Sequence, residues 1–260
     1  MMSVFRFQKF TVRNERSAMK VNTDGVLLGA LMTINSDSRH LLDIGTGTGT
    51  IALMAAQRMD QASSGTSDKT PKGTSDATES PYIIEGIDID APSAEEAAMN
   101  FESSPWKRHL RAHNLSLSEF SSLCGSTVYD HIFTNPPFFL EDLHSPDSRK
   151  AATRHADSLP LGEILDFASQ RLTPSGHLSL ILPFDSKIMA VRLAAEKSLH
   201  LFSCVDIRST ERKLPHRSIL EFSRCRPEGK CPERLLTIHE GSGYSGEYLR
   251  ITAPYLCLGK

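Results

Sequence analysis

Short apolar runs alternate along this chain with longer stretches whose apolar residues recur every three or four positions. Residues 40–44 read as a short buried strand, 45–50 as a tight turn, and 51–58 as a helix whose first turn sits at the glycines. The plan repeats, with a strand at 82–88 and a helix at 93–100. Further strands are predicted at 110–114, 131–135 and 177–183, and helices at 161–172 and 187–199. Such alternation predicts a mostly parallel sheet covered on both faces, a doubly wound α/β fold. Beyond it the character changes. Residues 201–209 and 218–223 look like strands joined by a polar loop, which fits an antiparallel hairpin on the sheet edge, and 235–239 adds a candidate strand.

Composition adds two boundaries to this picture. At 260 residues the chain suits a single domain, 1–260, with an N-terminal extension over 1–35. Residues 60–81 are rich in Ser, Thr, Gly, Asp and Lys and lack Leu, Ile, Val and aromatic side chains. That tract cannot bury enough apolar surface to offset ordering entropy, so a disordered surface insertion is predicted there. The first thirty residues hold no uninterrupted apolar stretch and carry Arg6, Lys9, Arg13, Arg16 and Lys20, which predicts neither a secretory signal nor a spanning helix. Five cysteines without a CxxC spacing fit a reduced, cytoplasmic compartment better than a disulfide framework or a metal site. A net charge of −2 excludes a uniformly basic body, so any polyanion must be held by local patches.

Candidate chemistry begins at Asp43-Ile44-Gly45-Thr46-Gly47-Thr48-Gly49. Glycines there allow positive φ and bring main-chain N–H groups close to a ligand, with a helix starting just after. The spacing is GxGxG, not the dinucleotide fingerprint GxGxxG. Asp88, at the end of the second predicted strand, is placed to accept hydrogen bonds from ribose hydroxyls; Asp90 ranks second, and capping of the next helix is the alternative for both, with position favouring the ribose. Asn135-Pro136-Pro137-Phe138 closes the strand at 131–135. An amide oxygen, a rigid carbonyl and an aromatic face side by side suit a planar, conjugated amine.

Together, these two motifs resemble the class I S-adenosylmethionine-dependent methyltransferases. Residues 18–30 (Ala-Met-Lys-Val-Asn-Thr-Asp-Gly-Val-Leu-Leu-Gly-Ala), Ser104-Pro105-Trp106 and Leu214-Pro215-His216-Arg217 narrow the likeness to the bacterial tRNA (adenine-N6)-methyltransferases that modify position 37 of a valine tRNA. The resemblance implies a Rossmann-like, seven-stranded sheet, S-adenosyl-L-methionine as cofactor and tRNA as partner. It also implies a cofactor site of Asp43, Gly45, Thr46, Gly47, Gly49, Asp88, Asn114 and Lys20, and a catalytic set of Asn135, Pro136, Pro137 and Phe138. Asn114 departs from the family, in which an aspartate commonly contacts the cofactor adenine. Lys20 and Asn22 are brought near the site by the resemblance, not by spacing.

Two basic clusters offer phosphate contacts: Arg149, Lys150, Arg154 and His155, and Arg208, Arg212, Lys213, His216 and Arg217. Either also reads as solvated surface. His144, His155 and His216 are lone loop histidines with no assigned role in catalysis, and Trp106 is expected in the core. A protein glutamine amide is likewise planar and conjugated, so a glutamine N5-methyltransferase stays open, as does a non-catalytic RNA-binding module on the same fold. The glycine spacing disfavours a nicotinamide oxidoreductase.

Overall fold

The computed structural model describes residues 3–65, 82–136 and 160–257. Its centre is β3 (His40–Ile44), flanked by β4 (Ile83–Asp88) and β5 (Leu110–Asn114) on one side, and by β6 (Tyr129–Thr134) and β7 (Leu172–Pro183) on the other, all parallel. β9 (Arg217–Ser223) pairs antiparallel with both β7 and β8 (His200–Thr210), which completes the seven expected strands. Two more extend the sheet to nine: β10 (Glu233–Glu240) runs parallel to β8, and β11 (Gly243–Tyr244) turns back on β10. The antiparallel pair is therefore present, but lies two strands inside the edge.

Central strands bury side chains on both faces, which is why they read as near-continuous apolar runs. Leu41, Ile84, Phe133 and Ile181 face one core, together with α1 (Thr23–Leu31) and α2 (Thr50–Gly65). Leu42, Ile87, Ile132 and Leu178 face the other, against α4 (Leu117–Leu123), α5 (Leu161–Arg171) and α6 (Lys187–Glu196). Successive residues of one strand thus feed opposite cores, and the sheet is doubly wound.

The described part of segment 1–35 packs into the first core. A hairpin of β1 (Val4–Arg6) and β2 (Thr11–Arg13) places Phe7, Phe10 and Val12 there, and Trp106 meets Phe10 edge-on at 5.8 Å. Leu27 and Leu28 of α1 are fully buried, and Gly29 is buried beside them. A helix apolar on all sides has no amphipathic period, so pattern alone does not reveal it. Asp60 to Gly65, assigned by composition to a polar insertion, instead continue α2. Asp60 and Gln61 are exposed, where a helix tolerates polar residues, so polarity there did not mark a break. Residues 66–81 lie outside the described residues.

A buried polar network ties α1 to the sheet. Glu221 accepts hydrogen bonds from Thr33 N (2.6 Å), Thr33 Oγ1 (3.0 Å) and Ser179 Oγ (2.7 Å). Because the Ser179 proton is committed to Glu221, its oxygen accepts from His131 Nε2 at 2.8 Å, which fixes the tautomer. Burial, then the neighbouring His177 and Arg58, hold the His131 pKa well below its ordinary value. The unfolded chain takes up this proton near pH 6.5 while the folded protein refuses it, so stability is lost as pH falls below that point. Asp43, raised by burial to about 7, acts in the opposite sense. Thermal melts from pH 7.5 to 5 should therefore decline more steeply for wild type than for His131→Gln, in which the Asp43 contribution is unchanged. Parallel profiles would remove His131 from this account.

Candidate active site

The chain order reverses at β3, between β4 and β6, and leaves a crevice at the carboxyl ends of the strands. Register decides what lines it. Ile44 stands opposite both Ile87 and Thr134, and Asp88 opposite Asn114. One residue further, Gly45 leaves β3 between Asp88 and Asn135. Asn114, Asp88, Gly45 and Asn135 thus form a row across four strands, roughly 14 Å long at ordinary strand spacing. That is room for an extended nucleoside with an amino-acid tail.

The glycine turn is closed against β4 by Gly45 N and Thr46 N, which both donate to the Ile87 carbonyl at 2.9 Å. Gly45, Gly47 and Gly49 all have positive φ (69°, 56° and 78°), which other L-residues adopt only with strain. A Cβ on Gly45 would meet nothing within 4 Å, so this face of the turn is open; a Cβ on Gly49 would lie 2.4 Å from the Phe101 ring. Leu53 N donates to the Gly49 carbonyl as α2 begins, so the positive end of that helix faces the turn. Asp43 lies beneath, fully buried, and accepts from Thr46 Oγ1 at 2.8 Å. Through this bond it braces the turn from behind.

The two aspartates separate cleanly. Asp90 caps α3 (Ala91–Glu102), accepting from Ser93 N at 3.0 Å. Asp88 instead bridges the rim, accepting from Gly47 N (2.8 Å) and Asp90 N (2.9 Å); burial raises its pKa despite both bonds. Asn114 Nδ2 donates to the Asp88 and Ile89 carbonyls, each at 3.0 Å. Its amide is thereby oriented with Oδ1 left as an acceptor, the role an aspartate would play, while Nδ2 braces the end of β4 in a way a carboxylate cannot.

Residues 14–22 form a strap over the glycine turn. Glu96 of α3, 1% exposed, accepts from Glu15 N, Arg16 N and Ser17 N at 2.8–3.0 Å. Burial pushes its pKa up, but the three backbone donors outweigh this and hold it low. Asn100, one turn on, donates to the Arg13 and Thr48 carbonyls and so links strap and turn. Sequence reasoning missed both side chains, since two polar residues four apart on an Ala-rich helix normally mark its wet face. Lys20 is exposed, with its ammonium on the Glu15 carbonyl, and Asn22 caps α1 through Gly25 N at 2.8 Å. These bonds, to Glu15 and to Gly25, do not reach the row of rim residues.

Asn135 is 6% exposed. Its Nδ2 donates to Met19 Sδ at 3.5 Å, and its Oδ1 is buried without a partner among the described residues. Such an orphan acceptor is costly in a folded protein and calls for a ligand donor. Pro136 is buried beside it; Pro137, Phe138, His144 and the cluster Arg149, Lys150, Arg154 and His155 lie outside the described residues.

No protein-family model matches the chain. A tRNA1(Val) (adenine(37)-N6)-methyltransferase of Porphyromonas gingivalis is 37% identical, covering 97% of this chain and 94% of its own. Enzymes of the same name from Bacteroides fragilis and Flavobacterium psychrophilum are 33% and 34% identical, covering 96% and 97% of this chain and 96% and 98% of their own. The chain belongs to the tRNA1(Val) (adenine(37)-N6)-methyltransferase family. Its fold is that of class I methyltransferases. A predicted O-methyltransferase from Agrobacterium tumefaciens superposes with a TM-score of 0.61 at 14% identity, covering 89% of this chain and 96% of the other. A T. thermophilus 16S rRNA methyltransferase, solved with AdoMet and guanosine, gives 0.54 at 18% identity, covering 86% and 51%.

In this family member the second basic cluster sits on the same rim as Asn135, because β9 runs antiparallel and pairs its first residue, Arg217, with Pro183 at the end of β7. The cluster divides by role. Arg217 Nε is held by Asp24 at 2.7 Å, and Arg208 Nε by Thr237 Oγ1 at 2.8 Å. Burial, then Arg217 beside it, depresses the His216 pKa. Arg212 and Lys213 are exposed and form no ion pair among the described residues, next to Leu214 at 86% exposure. Cys204, Asp206 and Glu233 cluster elsewhere, around the Lys187 ammonium, which lies 3.0 Å from Asp206 and 3.1 Å from Glu233. No described helix is long and apolar enough to cross a membrane.

Proposed function

We propose that this protein methylates N6 of adenine 37 in the anticodon loop of a valine tRNA, with S-adenosylmethionine as methyl donor. The observation that carries the reading is the buried Asn135 Oδ1, unpartnered among the described residues and one strand from the open face of the glycine turn. The residues fit the cofactor: Asp88 suits the ribose hydroxyls, Asn114 Oδ1 the adenine amine, and the turn at Gly45 to Gly49 the amino-acid end. Asp43 and Thr46 hold that turn from beneath, and Lys20 is assigned to the strap that covers it. Bound there, the cofactor supplies a methyl group activated by a sulfonium centre.

An exocyclic adenine amine is a poor nucleophile because its lone pair is delocalised into the ring. Asn135 Oδ1 and the Pro136 carbonyl accept its two N–H bonds and turn the lone pair out of conjugation, while Pro137 stiffens the segment and Phe138 stacks on the base. No base is needed before transfer, since the amine carries its pair already and loses its proton afterwards. A base leaves its stack more easily in an anticodon loop than in a duplex. Arg212 and Lys213, on the same rim, hold phosphates and make binding salt-sensitive. The activity belongs in the cytoplasm, with the tRNA pool.

Incubating the protein with labelled cofactor and either total tRNA or release-factor protein tests the assignment, followed by mass spectrometry of digested tRNA. Label is expected in tRNA as N6-methyladenine at position 37. Label in protein alone would establish a glutamine methyltransferase instead, and none in either a non-catalytic module.

A further inference from the structure

We infer that Met19 is a positioning residue that sets the orientation of the Asn135 amide. The inference rests on the role of Asn135 proposed above. The two ends of an asparagine amide are nearly equal in size and opposite in chemistry: Oδ1 accepts, and Nδ2 donates. Only the orientation with Oδ1 toward the crevice can receive the N–H of a target amine. The inverted one presents a donor to a donor. Asn135 Oδ1 has no partner among the described residues, so the choice falls to whatever Nδ2 meets, and Nδ2 meets the Met19 thioether at 3.5 Å. Sulfur there is a weak acceptor with no hydrogen to give, so it favours Nδ2 over Oδ1 as its neighbour.

Met19 is itself held. Its carbonyl accepts from Ser17 Oγ at 2.9 Å, and the Ser17 backbone N–H is clamped by Glu96 at 2.9 Å. The same carbonyl lies 3.6 Å from where a Cβ on Gly47 would stand. One residue of the strap therefore touches the cofactor turn with its main chain and the Asn135 amide with its side chain. The strap's link to the transfer step runs through this thioether, while Lys20, beside it, has its ammonium on a backbone carbonyl.

Met19→Leu keeps the volume and removes the acceptor. It is expected to lower kcat roughly fivefold, the order set by one modest hydrogen bond, with the melting temperature and S-adenosylhomocysteine affinity unchanged. Met19→Gln offers an amide oxygen to the same N–H and should recover most of the rate. In the cofactor-free protein labelled with nitrogen-15, the Asn135 side-chain amide should give a distinct pair of resonances that shifts and broadens in Met19→Leu. A second substitution, Asn135→Ala, should abolish any difference in rate between the wild-type and Met19→Leu backgrounds. Wild-type kcat in Met19→Leu overturns the inference. So does a loss of rate matched by equal loss of cofactor affinity or melting temperature, or a Met19→Gln protein no faster than Met19→Leu. Failure of the wild-type protein to methylate tRNA would instead sink the function itself, and the amide resonances would still report on Met19.

Discussion

The Asn135→Ala protein is expected to bind S-adenosylhomocysteine about as well as wild type and to transfer methyl groups on the order of a hundredfold to a thousandfold more slowly, the range seen when one preorganised hydrogen bond to a reacting group is removed. The separation follows from where the side chain sits. Asn135 closes β6, whereas the residues proposed to hold the cofactor stand at the ends of β3, β4 and β5. Its oxygen is buried and unpartnered among the described residues, so it takes no part in holding the fold, and truncating it takes the acceptor from no described donor. The melting temperature should therefore change little. Single-turnover transfer to tRNA beside calorimetry with S-adenosylhomocysteine makes the comparison, and transfer at the normal rate would remove Asn135 from the chemistry.

A second large effect is expected on stability. Gly49→Ala places a methyl group 2.4 Å from the buried Phe101 ring and forces an L-residue to φ of 78°. Conformational strain of about 1–2 kcal/mol and overpacking of about 1–3 kcal/mol act together, and for a chain of this size they correspond to a fall of roughly 10 °C in melting temperature. Gly45→Ala separates the two causes. Its φ of 69° carries the same strain, but nothing lies within 4 Å of the added carbon. It should melt only a few degrees low, yet lose cofactor affinity, because its methyl group enters the open face of the turn. Melts without cofactor, and titrations with S-adenosylhomocysteine, read the two quantities apart. Equal melting temperatures for the two variants would mean that Phe101 moves aside freely.

The chemistry-bearing turns were legible because their residues are chosen for local reasons. Gly45, Gly47 and Gly49 are needed for backbone angles, and Asn135 with Pro136 stands where a strand must end. The central strands were legible because burial on both faces leaves short unbroken apolar runs. By contrast, α1 is apolar all round and showed no period, and the helical continuation at Asp60 to Gly65 was hidden by polar composition. Glu96 and Asn100 looked like a wet helix face until the strap was seen to lie on them. Strand position ranked Asp88 ahead of Asp90, but capping suited either, and hydrogen bonding put Asp88 on the rim and Asp90 on the cap.

Sequence by itself determined the alternating α/β plan, and it marked the glycine turn at Gly45 to Gly49 and the Asn135-Pro136-Pro137-Phe138 tetrapeptide, since each is read from residues close in the chain. Tertiary structure decided which of these meet. Parallel register brings Asn114, Asp88, Gly45 and Asn135 into one row, an antiparallel β9 carries Arg212 and Lys213 to the same rim, and the strap lays Met19 against Asn135. Those are contacts between residues far apart in sequence. They depend on strand order and on side-chain packing across the sheet, neither of which any short run of residues encodes.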